Sequence, residues 1–211
     1  MRAIELNNDG VVVSYELPTA WSEVSLGRYS KLMTTLENDK ATEIESIIKT
    51  LEALVGISSS ELSKVPLKYL KMAYGELTDL TSTMPSTELK RIIDVDGTAY
   101  GFIPDFDELT FGEFCDLDNY LQNSWANLDK ILAVLFRKVV KRDGDNYQIE
   151  EYTMKGIKER RELFNNSLSI DVVYGALVFF CNIGRERMIT MRLSLEEENK
   201  QVRSKLLREQ L

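Results

Sequence analysis

Asp105, Asp107 and Glu108 crowd one short stretch, and neighbouring carboxylates of this kind can act as an acid–base pair. Their setting speaks for another role. They fall between the end of a strand pattern and the start of a helix pattern, where negative charge stabilises the helix N-terminus. Asp116 and Asp118 lie two apart on a helical pattern, so they point in different directions and form no dyad. Asp143-Gly144-Asp145-Asn146 has the oxygen donors of a calcium loop but lacks the later bidentate Glu, and it fits a hairpin turn better. Glu196-Glu197-Glu198 is a charge run of the kind that faces solvent.

The chain has no histidine. That removes the usual general base, the usual metal ligand and any Ser–His or Cys–His pair. Asp, Glu, Lys and Tyr chemistry remains open in principle. Cys115 and Cys181 are the only cysteines, and each falls inside an apolar helical pattern. Two buried, reduced thiols are expected, and with them a reducing compartment during folding. Neither G-x-x-x-x-G-K-[ST] nor G-x-G-x-x-G occurs, so no phosphate loop is present. No cofactor and no metal is expected.

With catalysis without a candidate, the remaining signals are those of contact. Trp21 just precedes a helix and suits a hydrophobic staple or a partner anchor; Trp125 stands at a helix–helix junction. Net charge is −8. Residues 185–211 hold seven Lys/Arg and five Glu, a net of +2, which leaves −10 on residues 1–184. An acidic body disfavours duplex nucleic acid, whose binding rests on Lys and Arg. Met188, Met191, Leu195, Val202 and Leu206 form an incomplete apolar stripe, interrupted by Glu198 and flanked by Arg185, Arg187, Arg192, Arg203 and Arg208. Too few seam positions are apolar for a self-paired coiled coil, so this segment is expected to dock on another surface.

The elements that would position these residues are legible. At 211 residues and 44% hydrophobic, the chain can bury a core without staples. No signal peptide is visible, and the longest apolar run, Val172–Cys181, is about half the ~20 residues a membrane span needs. A hairpin is expected around Asn7-Asn8-Asp9-Gly10, a second around Asp96-Gly97 and a third around Asp143–Asn146. Helices follow from Ser25, over about 41–55, after Ser58 and after Pro66. Others start at Thr110, run from Asn127 to Arg137, cover about 155–164, and extend from Ser169 toward the C-terminus with a break near Gly184. Leu67, Phe111 and Cys115 are expected to face inward. The fold class is α+β, predominantly α-helical, with two or three short β-hairpins.

The pattern then repeats. Glu23-Val24-Ser25-Leu26-Gly27-Arg28-Tyr29 matches Glu108-Leu109-Thr110-Phe111-Gly112-Glu113-Phe114 at an offset of 85. Ile44, Ile47, Ile48 and Leu51 fall on Leu128, Ile131, Leu132 and Leu135 at an offset of 84. An internal pseudo-duplication is therefore expected, with residues 1–88 as one unit and 89–184 as a second carrying an inserted hairpin. Residues 185–211 follow as a charged helix. Gly27 and Gly112, one turn into their helices, could each permit close packing or be merely tolerated.

Leu17-Pro18-Thr19-Ala20-Trp21-Ser22-Glu23-Val24-Ser25-Leu26 resembles the opening of a loosely characterised group of proteins from tailed phages of Bacteroidota, including crAss-like phages. Tyr100-Gly101-Phe102-Ile103-Pro104-Asp105, Leu109–Phe114, Asn127–Leu135 and Tyr174–Phe180 carry the same resemblance, which spans residues 15–184 and leaves 185–211 unmatched. The resemblance implies virion morphogenesis: a structural component of the neck or tail, or a tail-assembly chaperone. It implies no catalytic residue. The expected partners are other phage structural proteins and further copies of this chain in an oligomer or ring, without sequence-specific nucleic-acid binding or a membrane. The expected location is the host cytoplasm during assembly, with incorporation into the virion as an option. A small acidic regulator or inhibitor of a host protein is the alternative, and an enzyme using Asp, Glu or Tyr the third class.

Overall fold

The structure is a computed structural model and describes residues 1–8, 11–36, 42–123, 125–184, 189–190, 192–194, 197 and 200. Two strands, β1 (Arg2–Asn8) and β2 (Val11–Leu17), pair antiparallel with Ile4 opposite Tyr15. Asp9 and Gly10 of the expected turn lie outside the described residues. A 3-10 turn at Trp21–Glu23 leads into α1 (Leu26–Leu36), where the Ser25 hydroxyl accepts from the Arg28 N–H at 3.4 Å. Helix α2 (Glu43–Leu54) starts with a reciprocal capping box, Thr42 with Glu45; α3 (Ser59–Leu62) does the same with Ser58 and Glu61. Pro66 precedes α4 (Leu67–Thr81).

The second half opens with β3 (Ile92–Val95) and β4 (Thr98–Phe102), joined by Asp96 and Gly97 at φ 51° and 75°. Positive φ at both central residues is what a tight two-residue hairpin needs. Thr110 and Glu113 box the start of α5 (Phe111–Leu121). Then come α6 (Leu128–Leu135), β5 (Phe136–Asp143), β6 (Asn146–Ile149), α7 (Met154–Ser167) and α8 (Ile170–Phe179), followed by a π-helical turn at Phe180–Gly184. Strands β3-β4-β5-β6 make one antiparallel sheet in sequence order. The described residues form an α+β, predominantly helical fold in which β1–β2, β3–β4 and β5–β6 are consecutive antiparallel pairs.

One expected boundary moves. The helix predicted to reach Arg137 stops at Leu135, because Phe136 and Arg137 pair with Phe102 and Gly101 on β4. The pull of a sheet edge overrides a helical pattern that local sequence alone would continue.

Among the described residues a cluster of buried apolar side chains runs through both halves. Leu17, Leu26, Leu51 and Leu54 supply its first part. Behind the four-stranded sheet, Phe102 packs edge-on against Phe136 and Phe179 with ring centres 5.3 and 5.6 Å apart, and Phe136 meets Phe164 at 6.5 Å. The expectation of inward Leu67, Phe111 and Cys115 does not hold: all three are exposed, Phe111 by 72%. Leu67 is the first residue of its helix, one turn ahead of buried Leu70, while Phe111 and Cys115 lie off the side of α5 that buries Phe114 and Leu117. Cys181 is exposed too, so neither thiol is buried as predicted. It follows buried Phe180 at the start of the π-helical turn.

The halves meet along α1. A Cβ added at Gly27 would fall 2.9 Å from the Asn165 carbonyl oxygen of α7, so this glycine allows a close approach. At Gly112 the nearest atom would be Tyr152 Cε1 at 3.6 Å, an ordinary contact. Ser169 stands at the N-cap position of α8 but its side chain makes no capping bond; its backbone neighbours bridge to the start of α1 instead.

Candidate partner-binding surfaces

Among the described residues several clefts are large enough for a small ligand, including one of about 610 Å³ between α1 and α2, and two hold the acidic groups of interest. The first, about 430 Å³, opens between α1 and α6 and is lined by Tyr29, Met33, Thr34, Asn123 and Asp129 among others. Its one carboxylate, Asp129, is held by Arg161 at 2.7 Å. The second, about 370 Å³, lies where β5 and β6 meet the 103–109 loop, with Glu113 and Arg137 in its lining and Asp105 and Glu108 beside them. Asp105 caps its own turn, accepting from the Asp107 N–H at 2.9 Å.

Glu113 is committed structurally. One carboxylate oxygen accepts from the Thr110 hydroxyl at 2.5 Å and backbone N–H at 2.8 Å, closing the α5 cap. The other lies 2.5 Å from Arg137 Nη2, a charge contact away from the hydrogen-bonding direction. Arg137 Nη1 donates to the Glu150 carbonyl at 3.1 Å, and Arg160 reaches the Glu150 carboxylate with Nη1 and the Ala133 carbonyl with Nε at 2.8 Å. Burial pulls both guanidinium groups below their ordinary pKa, against the support of the nearby carboxylates. This buried cluster ties α5, α6, β5 and α7 together. Sequence reasoning missed it, since Arg160 sits in a helix with the composition of a solvated one and its partners lie 10 or more residues away.

Asp116 and Asp118 diverge as the helical spacing requires. Asp116 accepts a short hydrogen bond from the Tyr152 hydroxyl, and burial together with that bond pushes the Tyr152 phenol well above its usual range. Asp118 meets Arg192 of the C-terminal segment. Among the described residues, no group of three or more Cys, Asp or Glu gathers as a metal site would. No described helix is long and apolar enough to cross a membrane.

The proposed contact residues divide. Trp21 is 7% exposed, donates its indole N–H to the Thr83 carbonyl at 3.1 Å and stands edge-on to Tyr29 at 5.7 Å. It is a core residue holding the α4 exit, and the anchor reading loses its physical basis. Trp125 opens a 3-10 turn between α5 and α6, and its side chain lies outside what is described. Arg185, Arg187, Met188, Met191, Leu195, Val202 and Leu206 lie outside the described residues. Arg192 is described and pairs with Asp118 of its own chain, while Ile189 and Leu193, one turn apart, are 52% and 56% exposed.

No family model, no curated protein and no solved structure matches the chain.

Proposed function

We propose that this protein is a non-enzymatic assembly part that works through protein–protein contacts. Following the resemblance of residues 15–184, we place it in phage morphogenesis, as a neck or tail component or a tail-assembly chaperone. The carrying observation is the C-terminal segment. At its described residues it touches the acidic helix α5 through Arg192 and turns the apolar pair Ile189 and Leu193 to solvent. An apolar pair left exposed one turn apart beside basic residues is the form in which a helix meets a partner groove. Three carboxylates of the two acidic clefts support the same reading, because caps and ion pairs already engage Asp105, Glu113 and Asp129.

Proteomics of purified particles, combined with loss of this gene, tests the proposal. Presence in the particle identifies a structural part. Absence from the particle, with assembly failing when the gene is lost, identifies a chaperone. Normal particles in full yield without the gene overturn the proposal.

A further inference from the structure

The outward face of α5 is bare at one end and contacted at the other. Phe111, Cys115 and Asp118 recur at i, i+4 and i+7 and so share one side of the helix. Arg192 meets Asp118, while Phe111 stays 72% exposed and Cys115 exposed. In the register of the sequence match, Phe111 corresponds to Leu26. Leu26 is fully buried, and its N–H donates to the Leu168 carbonyl at 2.8 Å. The same position is thus covered in the first half and uncovered in the second.

We propose that this face of α5 receives residues 189–211 of a second copy of the chain. The inference rests on the assembly reading and names its surface. Within one chain Arg192 meets Asp118 and leaves the Phe111 end open, so the tail of a second copy takes the place of that contact and covers both ends. Charge is complementary: residues 185–211 carry +2, with Arg203, Lys205 and Arg208 in the last eleven, and exposed Asp105 and Glu108 precede Phe111. Apolar content matches as well, since Val202, Leu206 and Leu207 accompany those cations. Reach suffices. Phe111 lies seven residues, about 10 Å, from Asp118 along the helix, and 19 residues follow Arg192. A segment from one copy on α5 of the next is a heterologous contact, which repeats into a ring or a filament.

Sedimentation of the full chain over a range of concentrations tests this. The wild type is expected to self-associate, and Phe111→Ser to weaken association by about tenfold. A bulky maleimide on Cys115, in a Cys181→Ser background, is expected to do the same. Asp118→Arg and Arg192→Asp should each weaken association alone. An equimolar mixture of those two variants should restore it, since each tail then meets an oppositely charged α5 on the other chain. These positions are exposed or half-buried, and an unchanged melting temperature for each variant separates lost docking from lost folding. A wild type that is monomeric throughout overturns the inference but not the assembly reading, whose partner would then be a different protein. Association indifferent to Phe111→Ser, or a mixture no better than the single variants, also overturns it.

Discussion

Ser25 and Ser169 face each other as the central pair of an antiparallel bridge, each in the residue just before a helix. The Leu26 N–H donates to the Leu168 carbonyl at 2.8 Å, and the Ile170 N–H donates to the Val24 carbonyl at 3.0 Å. The bridge satisfies the first N–H of α1 and of α8, groups that have no partner within their own helices. It also fixes the start of the first half against the last core helix of the second.

The approach that this bridge fixes leaves no room for a side chain at Gly27. Gly27→Ala is expected to lower stability by about 1–3 kcal/mol through overpacking against Asn165. Gly112→Ala, at the matching position, should be neutral or slightly stabilising, because alanine suits a helix better and Tyr152 is 3.6 Å away. Thermal melts of the two variants decide the point. Equal effects would mean that α1 and α7 are not packed this closely.

Glu113 and Arg137 give a second test. Arg137→Met strands a carboxylate that is 2% exposed, and breaking a buried pair from one side typically costs about 3–5 kcal/mol. Glu113→Gln keeps the α5 capping box, since glutamine closes it too. The double variant Glu113→Gln/Arg137→Met should therefore be more stable than Arg137→Met alone, measured by denaturant unfolding. A double variant as unstable as the sum of the singles would show that the two charges are not coupled.

Glu61 ties α3 to the first hairpin. It accepts from the Ser58 hydroxyl at 2.5 Å and from the Tyr15 hydroxyl at 2.7 Å. The Ser58 side chain foremost, then Tyr15 and the Ser58 backbone, lower its pKa to about 2. A carboxyl held low in the folded state favours folding above its ordinary pKa near 4.5, and that contribution is lost as pH falls toward 2. Melting temperature should thus drop across this window, and Glu61→Gln should flatten the drop. Glu23, lowered to about 2 chiefly by the N-terminal ammonium, contributes to the same window and keeps part of the slope. Superimposable curves for Glu61→Gln and wild type would mean that the Glu61 carboxylate is not held by Ser58 and Tyr15.

Local grammar made much of this legible beforehand. The turn at Asp96-Gly97 and the capping boxes at Ser58 and Thr110 are set by residues within three or four positions, and the structure has them where the pattern puts them. What failed depends on distant partners. Phe136 leaves its helix because β4 is there to pair with it. Arg160 is buried because the Ala133 carbonyl and Glu150 await it. Trp21 enters the core because the chain returns at Thr83 to accept its N–H. Of the C-terminal contact residues, the sequence marked the basic and apolar character but not the landing point, since Asp118 lies 74 residues from Arg192.

Removing residues 186–211 and measuring melting temperature and association separately addresses the central claim most directly. A segment that docks rather than completes the core should leave a folded product with little loss of melting temperature and no self-association. A shortened chain that unfolds, or one that associates as the full chain does, would contradict the account.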